Sequence, residues 1–147
     1  MRLLTELDAV HADLRRFTDG LMRKGWFGGD VELVHSVHTD VEGDGVRVTS
    51  HHRFGMLIDG GPDLNELSVS CGLLVAASAF SCDLAIEADF DTPAGILPEG
   101  RTTLRSEHAS PENLSEALKS FRDHANLAIG APELFSGPAV RSAVGNV

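Results

Sequence analysis

Apolar residues recur at Leu3, Leu7, Val10, Leu14, Phe17 and Leu21, in steps of four and three. That is one stripe of an amphipathic helix. Asp8, Asp13, Arg15 and Arg16 fall off it, as a solvated face requires. Arg23 and Lys24 suit a helix C-terminus and Gly25 a stop, which bounds this first helix at about residues 2–24. Three heptads barely suffice for a coiled coil, so the stripe is expected to pack on a sheet.

After "GWFGGD" the period changes to two. Val31, Leu33, His35, Val37, Thr39 and Val41 fall on one face. So do Val46, Val48, Ser50, His52, Phe54, Met56 and Ile58 beyond "EGDG". Two such runs joined by Asp44–Gly45 read as a hairpin. "DGGPDLN" is a loop by composition. Leu67, Val69, Cys71, Leu73, Val75, Ala77 and Ala79 then alternate with polar or small residues, as do Cys82, Leu84, Ile86, Ala88 and Phe90. One apolar and one polar face per strand marks an antiparallel sheet covered on one side. "DTPAGILPEG" is a second loop. "RTTLRSEHA" reads as a polar fifth strand suited to an exposed edge. Ser110 as N-cap, Pro111 and Glu112 then open a second helix with a stripe of Leu114, Ala117, Leu118, Phe121, Ala125 and Ala128, ended by Gly130 and Pro132.

The expected fold is therefore α+β and two-layered: an antiparallel meander of four or five strands, with an N-terminal and a C-terminal helix packed on one face. The 147 residues suit one domain, placed at 1–130, with 131–147 as a C-terminal arm or tail.

Charge narrows the function classes. Twelve Lys and Arg stand against 22 Asp and Glu, a formal net charge of −10. That argues against nucleic acid, which calls for a basic footprint, and against anionic membrane surfaces. It leaves room for a basic protein partner. Cys71 and Cys82 sit in apolar runs and read as buried thiols in a reducing cytoplasm. Glu6, Asp8 and Asp13 interrupt any signal-peptide core, and no run is long enough to span a membrane.

Candidate chemistry concentrates in "VELVHSVHTDVEGDGVRVTSHHRF", with four of the chain's seven histidines. The face rule demands that opposed residue numbers sum to an odd value. A four-residue loop, Glu42 to Gly45, sets His35 opposite His52. A two-residue loop, Asp44–Gly45, sets His38 opposite His51. Either way the pairs lie on opposite faces and cannot form one four-ligand site. His38 and His51, with Asp40 nearby, are a weak metal pattern that Arg53 opposes. His35, His52 and Ser50 face the helices, where each polar group needs a partner. They satisfy one another, or they line a pocket in which one imidazole serves as general base, with His11 of the first helix placed to join them. A direct Ser50–His52 bond would need a bent strand. No glycine-rich phosphate loop, GxSxG or CxxC accompanies them. Asp83, Glu87, Asp89 and Asp91 share the polar strand face. Without a calcium loop they read as a solvated, partner-facing surface.

Two function readings follow. The first is a non-enzymatic acidic protein-binding module that uses the exposed sheet face. Asp83, Glu87, Asp89, Asp91 and the aromatic anchor Trp26 would be its contacts, with a basic protein or a second copy of the chain in a homodimer as partner, and no cofactor. In layout and charge the chain is similar to secretion chaperones and toxin-immunity proteins, though no motif supports that likeness. The alternative is a small enzyme or ligand-binding protein with its pocket around His35, Ser50 and His52.

Overall fold

The structure is a computed structural model and describes residues 2–24, 31–57, 64–89 and 101–135. Trp26, Asp91 and the tail beyond residue 135 lie outside the described residues.

Helix α1 (Arg2–Arg23) is followed by strands β1 (Val31–Glu42), β2 (Gly45–Leu57), β3 (Leu64–Ala76), β4 (Phe80–Asp89) and β5 (Arg101–Ala109). Helix α2 (Leu114–Ile129) and the short α3 (Pro132–Phe135) complete the order. The strands form one antiparallel meander in the order β1-β2-β3-β4-β5. The chain is thus the two-layer α+β fold that its periodicities dictate.

The core lies between the sheet and the helices. Val10, Leu14 and Leu21 of α1 meet Phe54 of β2, Leu67, Val69, Cys71 and Leu73 of β3, and Cys82, Leu84, Ile86 and Ala88 of β4. Ala117, Leu118, Phe121, Ala125 and Ala128 of α2 close it, all essentially out of solvent. Helix α1 lies over β1 and β2, and α2 over β3 and β4. The helices also touch each other, and Arg122 donates to Glu6 across them at 2.6 Å.

Three local expectations change. The turn is Gly43–Asp44, because Glu42 pairs with Gly45 and Val41 with Val46. Gly43 has φ 62° while Asp44 keeps a negative φ, which suits a type II′ turn and explains a glycine at that position. The N-cap of α2 is Asn113, not Ser110. Its side chain accepts from the Glu116 amide at 3.1 Å, and Glu116 reaches back to the Glu112 amide at 3.2 Å. Asn caps as well as Ser and sits at the spacing that lets Glu116 reciprocate. Leu114 consequently falls in the first exposed turn rather than in the stripe.

Packing also continues past Gly130. Ala131 and Phe135 are buried, and Phe135 meets the rings of Phe17 and Phe54 at 5.5 and 6.3 Å. The two cysteines are free and buried, with Cys82 Sγ 3.3 Å from the Ala117 carbonyl. Burial pushes the Cys82 thiol up to about 11, so it is a packing group rather than a nucleophile. No helix among the described residues is long and apolar enough to cross a membrane.

Candidate functional site

The hairpin register places His35 of β1 directly opposite His52 of β2, with Ser50 two residues along on the same inward face. The pairing runs through these positions without a shift on either side of β2. Yet Ser50 Oγ and His52 Nε2 are 2.9 Å apart. The expectation that a bend would be needed is therefore wrong. The imidazole is long enough to lean along its own strand and reach the short serine.

Helix α1 supplies both ends of what becomes a continuous chain. Nδ1 of His11 lies 2.7 Å from Ser50 Oγ. Nδ1 of His52 lies 2.7 Å from Nδ1 of His35, and Nε2 of His35 lies 3.1 Å from Asp19 Oδ1. Asp19 was missing from the candidate set because a helix aspartate beside Thr18 and Gly20 looks like a solvated residue. The signal was its spacing. His11, Arg15 and Asp19 stand at i, i+4 and i+8, so one edge of α1 carries all three. Arg15 Nε is 4.0 Å from the other oxygen of Asp19.

With all three imidazoles neutral, hydrogen counting sets the direction of every bond in this chain. The Asp19 carboxylate can only accept, so Nε2 of His35 carries a hydrogen. A neutral His35 then accepts at Nδ1, which places the hydrogen of that gap on Nδ1 of His52. Nε2 of His52 is left to accept from the Ser50 hydroxyl. Ser50 has one hydrogen, so its oxygen accepts from Nδ1–H of His11. Each donor points toward Asp19, and Nε2 of His11 is left with a lone pair.

Burial sharpens the contrast along the chain. His52 is 0% exposed, with the His11 and His35 rings 5.2 and 4.8 Å away. Burial first, then the charges of His35 and His11, push its pKa down to about 3, against an opposing pull from Asp19. His11 is also lowered, chiefly by burial and secondarily by His35 and Arg15. His52 is thus a neutral spacer, and His11 is the partly exposed end.

That end faces a cavity of about 250 Å³ between α1 and the β1–β2 hairpin. Leu4, Leu7, Val37, Val48 and Phe121 give it apolar walls. Asp8, His11, Thr39 and Ser50 are its polar groups, and no Lys or Arg lines it among the described residues. Leu4 and Val37, two of its apolar lining residues, are 71 and 50% exposed, and Val41 near the hairpin turn is 84% exposed.

The other pair behaves differently. His38 bonds Ser36 at 2.9 Å and His51 bonds Ser70 at 2.7 Å, with ring centroids 6.2 Å apart on the outer face. Among the described residues no group of three His, Cys, Asp or Glu is placed to hold a metal ion.

The acidic strand face is an ion-pair lattice. Asp83 is held by Arg47 and lies 3.2 Å from His108, and Arg47 also donates to Glu42 at 2.5 Å. Arg53 pairs Glu66 at 3.1 Å. The Arg47–Asp83 bridge passes over Gly72, where an added Cβ would stand 2.8 Å from Asp83 Oδ2. Glu87 and Asp89 line a small polar recess with Glu66 and Ser68.

No protein-family model matches the chain, and no curated protein or solved structure matches it either.

Proposed function

We propose that the protein binds a small apolar ligand bearing a hydroxyl or amine in the cavity beside His11 and Ser50. The observation that carries this reading is the polarity of the chain of hydrogen bonds. It leaves His11, one of the residues lining this mostly apolar cavity, with an accepting imidazole nitrogen, beside Asp8, the one formal charge among the described lining residues. Both groups accept, so the complementary ligand donates. Anions are disfavoured by Asp8, which has no cation beside it among the described lining residues. Size sets a second limit. Drug-sized sites run to roughly 300–1,000 Å³, and an apolar void of about 150 Å³ takes one benzene ring. A single ring with a short polar arm suits the space.

Phenethylamine and 3-phenylpropionate share that body and differ in charge. Calorimetry should show the amine binding at least tenfold more tightly, with most of the preference lost in Asp8→Asn. Equal binding of the two, or a preference indifferent to Asp8→Asn, would overturn this assignment.

The reading as an acidic protein-binding module retains one specific support: both helices pack on the same side, which leaves the other sheet face to Glu87, Asp89 and their neighbours. Its ion pairs leave that face of mixed sign. A partner seated there would associate more slowly as salt rises and would be untouched by Asp8→Asn.

A further inference from the structure

We propose that Asp19, His35, His52, Ser50 and His11 form a proton-transfer chain that makes Nε2 of His11 the general base of the cavity, acting on a hydroxyl or amine hydrogen. The identity of the proton donor rests on the ligand reading above. The chain itself does not.

Four consecutive gaps of 2.7, 2.9, 2.7 and 3.1 Å each hold one hydrogen. When a ligand O–H or ammonium N–H gives its proton to Nε2 of His11, the bond breaks with its electron pair left on the ligand. The Nδ1 hydrogen of His11 moves to Ser50 Oγ as the serine's own hydrogen moves to Nε2 of His52. The Nδ1 hydrogen of His52 moves to Nδ1 of His35. The ligand is then a conjugate base and nucleophile. His35 is an imidazolium against the Asp19 carboxylate, and His11, Ser50 and His52 are neutral with their hydrogens reversed. The proton returns by the same steps in the opposite order.

This end point puts the charge where the fold tolerates it. His52, with no solvent contact, never has to hold it, and burial keeps its pKa down at about 3. His35 has a carboxylate 3.1 Å away. The groups facing the chain are consistent with that outcome. Helix α1 contributes Asp8, Arg15 and Asp19, β1 contributes His35, β2 contributes His51 from its far side, and α2 reaches the cavity through Phe121.

Ser50 itself is ill placed as a nucleophile. It stands in the second strand of the sheet with β1 and β3 on either side, so the amides around it serve the two ladders. Acyl transfer needs free donors for an oxyanion. The serine's place between two imidazoles suits it to pass a hydrogen on.

The test follows imidazole nitrogens by NMR in ¹⁵N-labelled protein, titrated without ligand from about pH 8 to about pH 4. At the upper end His11 and His52 should carry hydrogen on Nδ1 and His35 on Nε2. On acidification His52 and His11 should both switch to Nε2–H at the same midpoint. Ser50→Ala should uncouple His11 from that switch, and Ser50→Thr, which keeps the hydroxyl, should restore it. Finding Nε2–H on His11 at the upper end, or separate midpoints with no exchange of tautomers, would overturn the chain. So would His11 still switching in step in Ser50→Ala. Loss of phenethylamine binding with the switch intact would overturn the ligand reading alone.

Discussion

His52→Gln is the substitution whose effect the structure sets most directly. An unfolded His52 takes up a proton near 6.5, while the folded imidazole is held down to about 3. Between those values the unfolded chain binds one more proton than the native one, so acid draws the equilibrium toward unfolding. The stability that His52 contributes as a neutral buried group is therefore fully present above about pH 6.5. It is lost progressively as pH falls toward about 3. Each unit is about 1.4 kcal/mol, so the loss from this residue is on the order of 2 kcal/mol by about pH 5. His11 adds a smaller part of the same sign, because its shift has the same direction and it is partly exposed. Urea unfolding followed by circular dichroism at about pH 7 and about pH 5 measures the slope. The parent should lose about 2 kcal/mol more than His52→Gln over that interval. A variant whose stability falls as steeply as the parent's would show that His52 is not the neutral, desolvated group described above.

Three further outcomes bear on the fold and the outer face. Leu84→Ala should cost about 2–5 kcal/mol, since Leu84 is 0% exposed in the centre of the core, whereas Asp89→Ala on the same strand should change urea stability by less than about 0.5 kcal/mol. Asn113→Ala should cost about 0.5–2 kcal/mol by removing the cap of α2, with Ser110→Ala well below that. Zinc and chelators should leave the melting temperature unmoved. A shift of several degrees on chelation, abolished by His38→Ala, would identify the outer histidines as a metal clip.

Periodicity alone made the layer architecture legible, because a three-four stripe followed by period-two runs leaves few ways to bury one face of each element. It also fixed which histidines share a face: an odd sum for opposed residues is a constraint on numbers, and His35 opposite His52 satisfies it. Local chemistry was less decisive. Asn113 and Ser110 are equally good caps in isolation, and Glu116 chose between them. Asp44–Gly45 is a strong turn pair, but the ladder closed one residue earlier on Gly43. Half of the site was visible in His35, Ser50 and His52, with His11 at its edge. The cavity was not, because its lining comes from α1, β1, β2 and α2 and exists only once these elements are packed together. Asp19 was hidden for a related reason. Its role exists only once α1 is laid across β1, and until then its carboxylate is one of 22 acidic groups.

Chemical-shift mapping of the labelled protein with phenethylamine tests the cavity most directly. Saturable shifts should cluster at Leu7, His11, Val37, Val48 and Ser50, and should be abolished by Val48→Phe, which fills the space, while the rest of the spectrum stays folded. Saturable shifts that instead gather on the outer sheet face around Glu66, Glu87 and Asp89, or an undisturbed spectrum at every concentration, would contradict a ligand site between α1 and the hairpin.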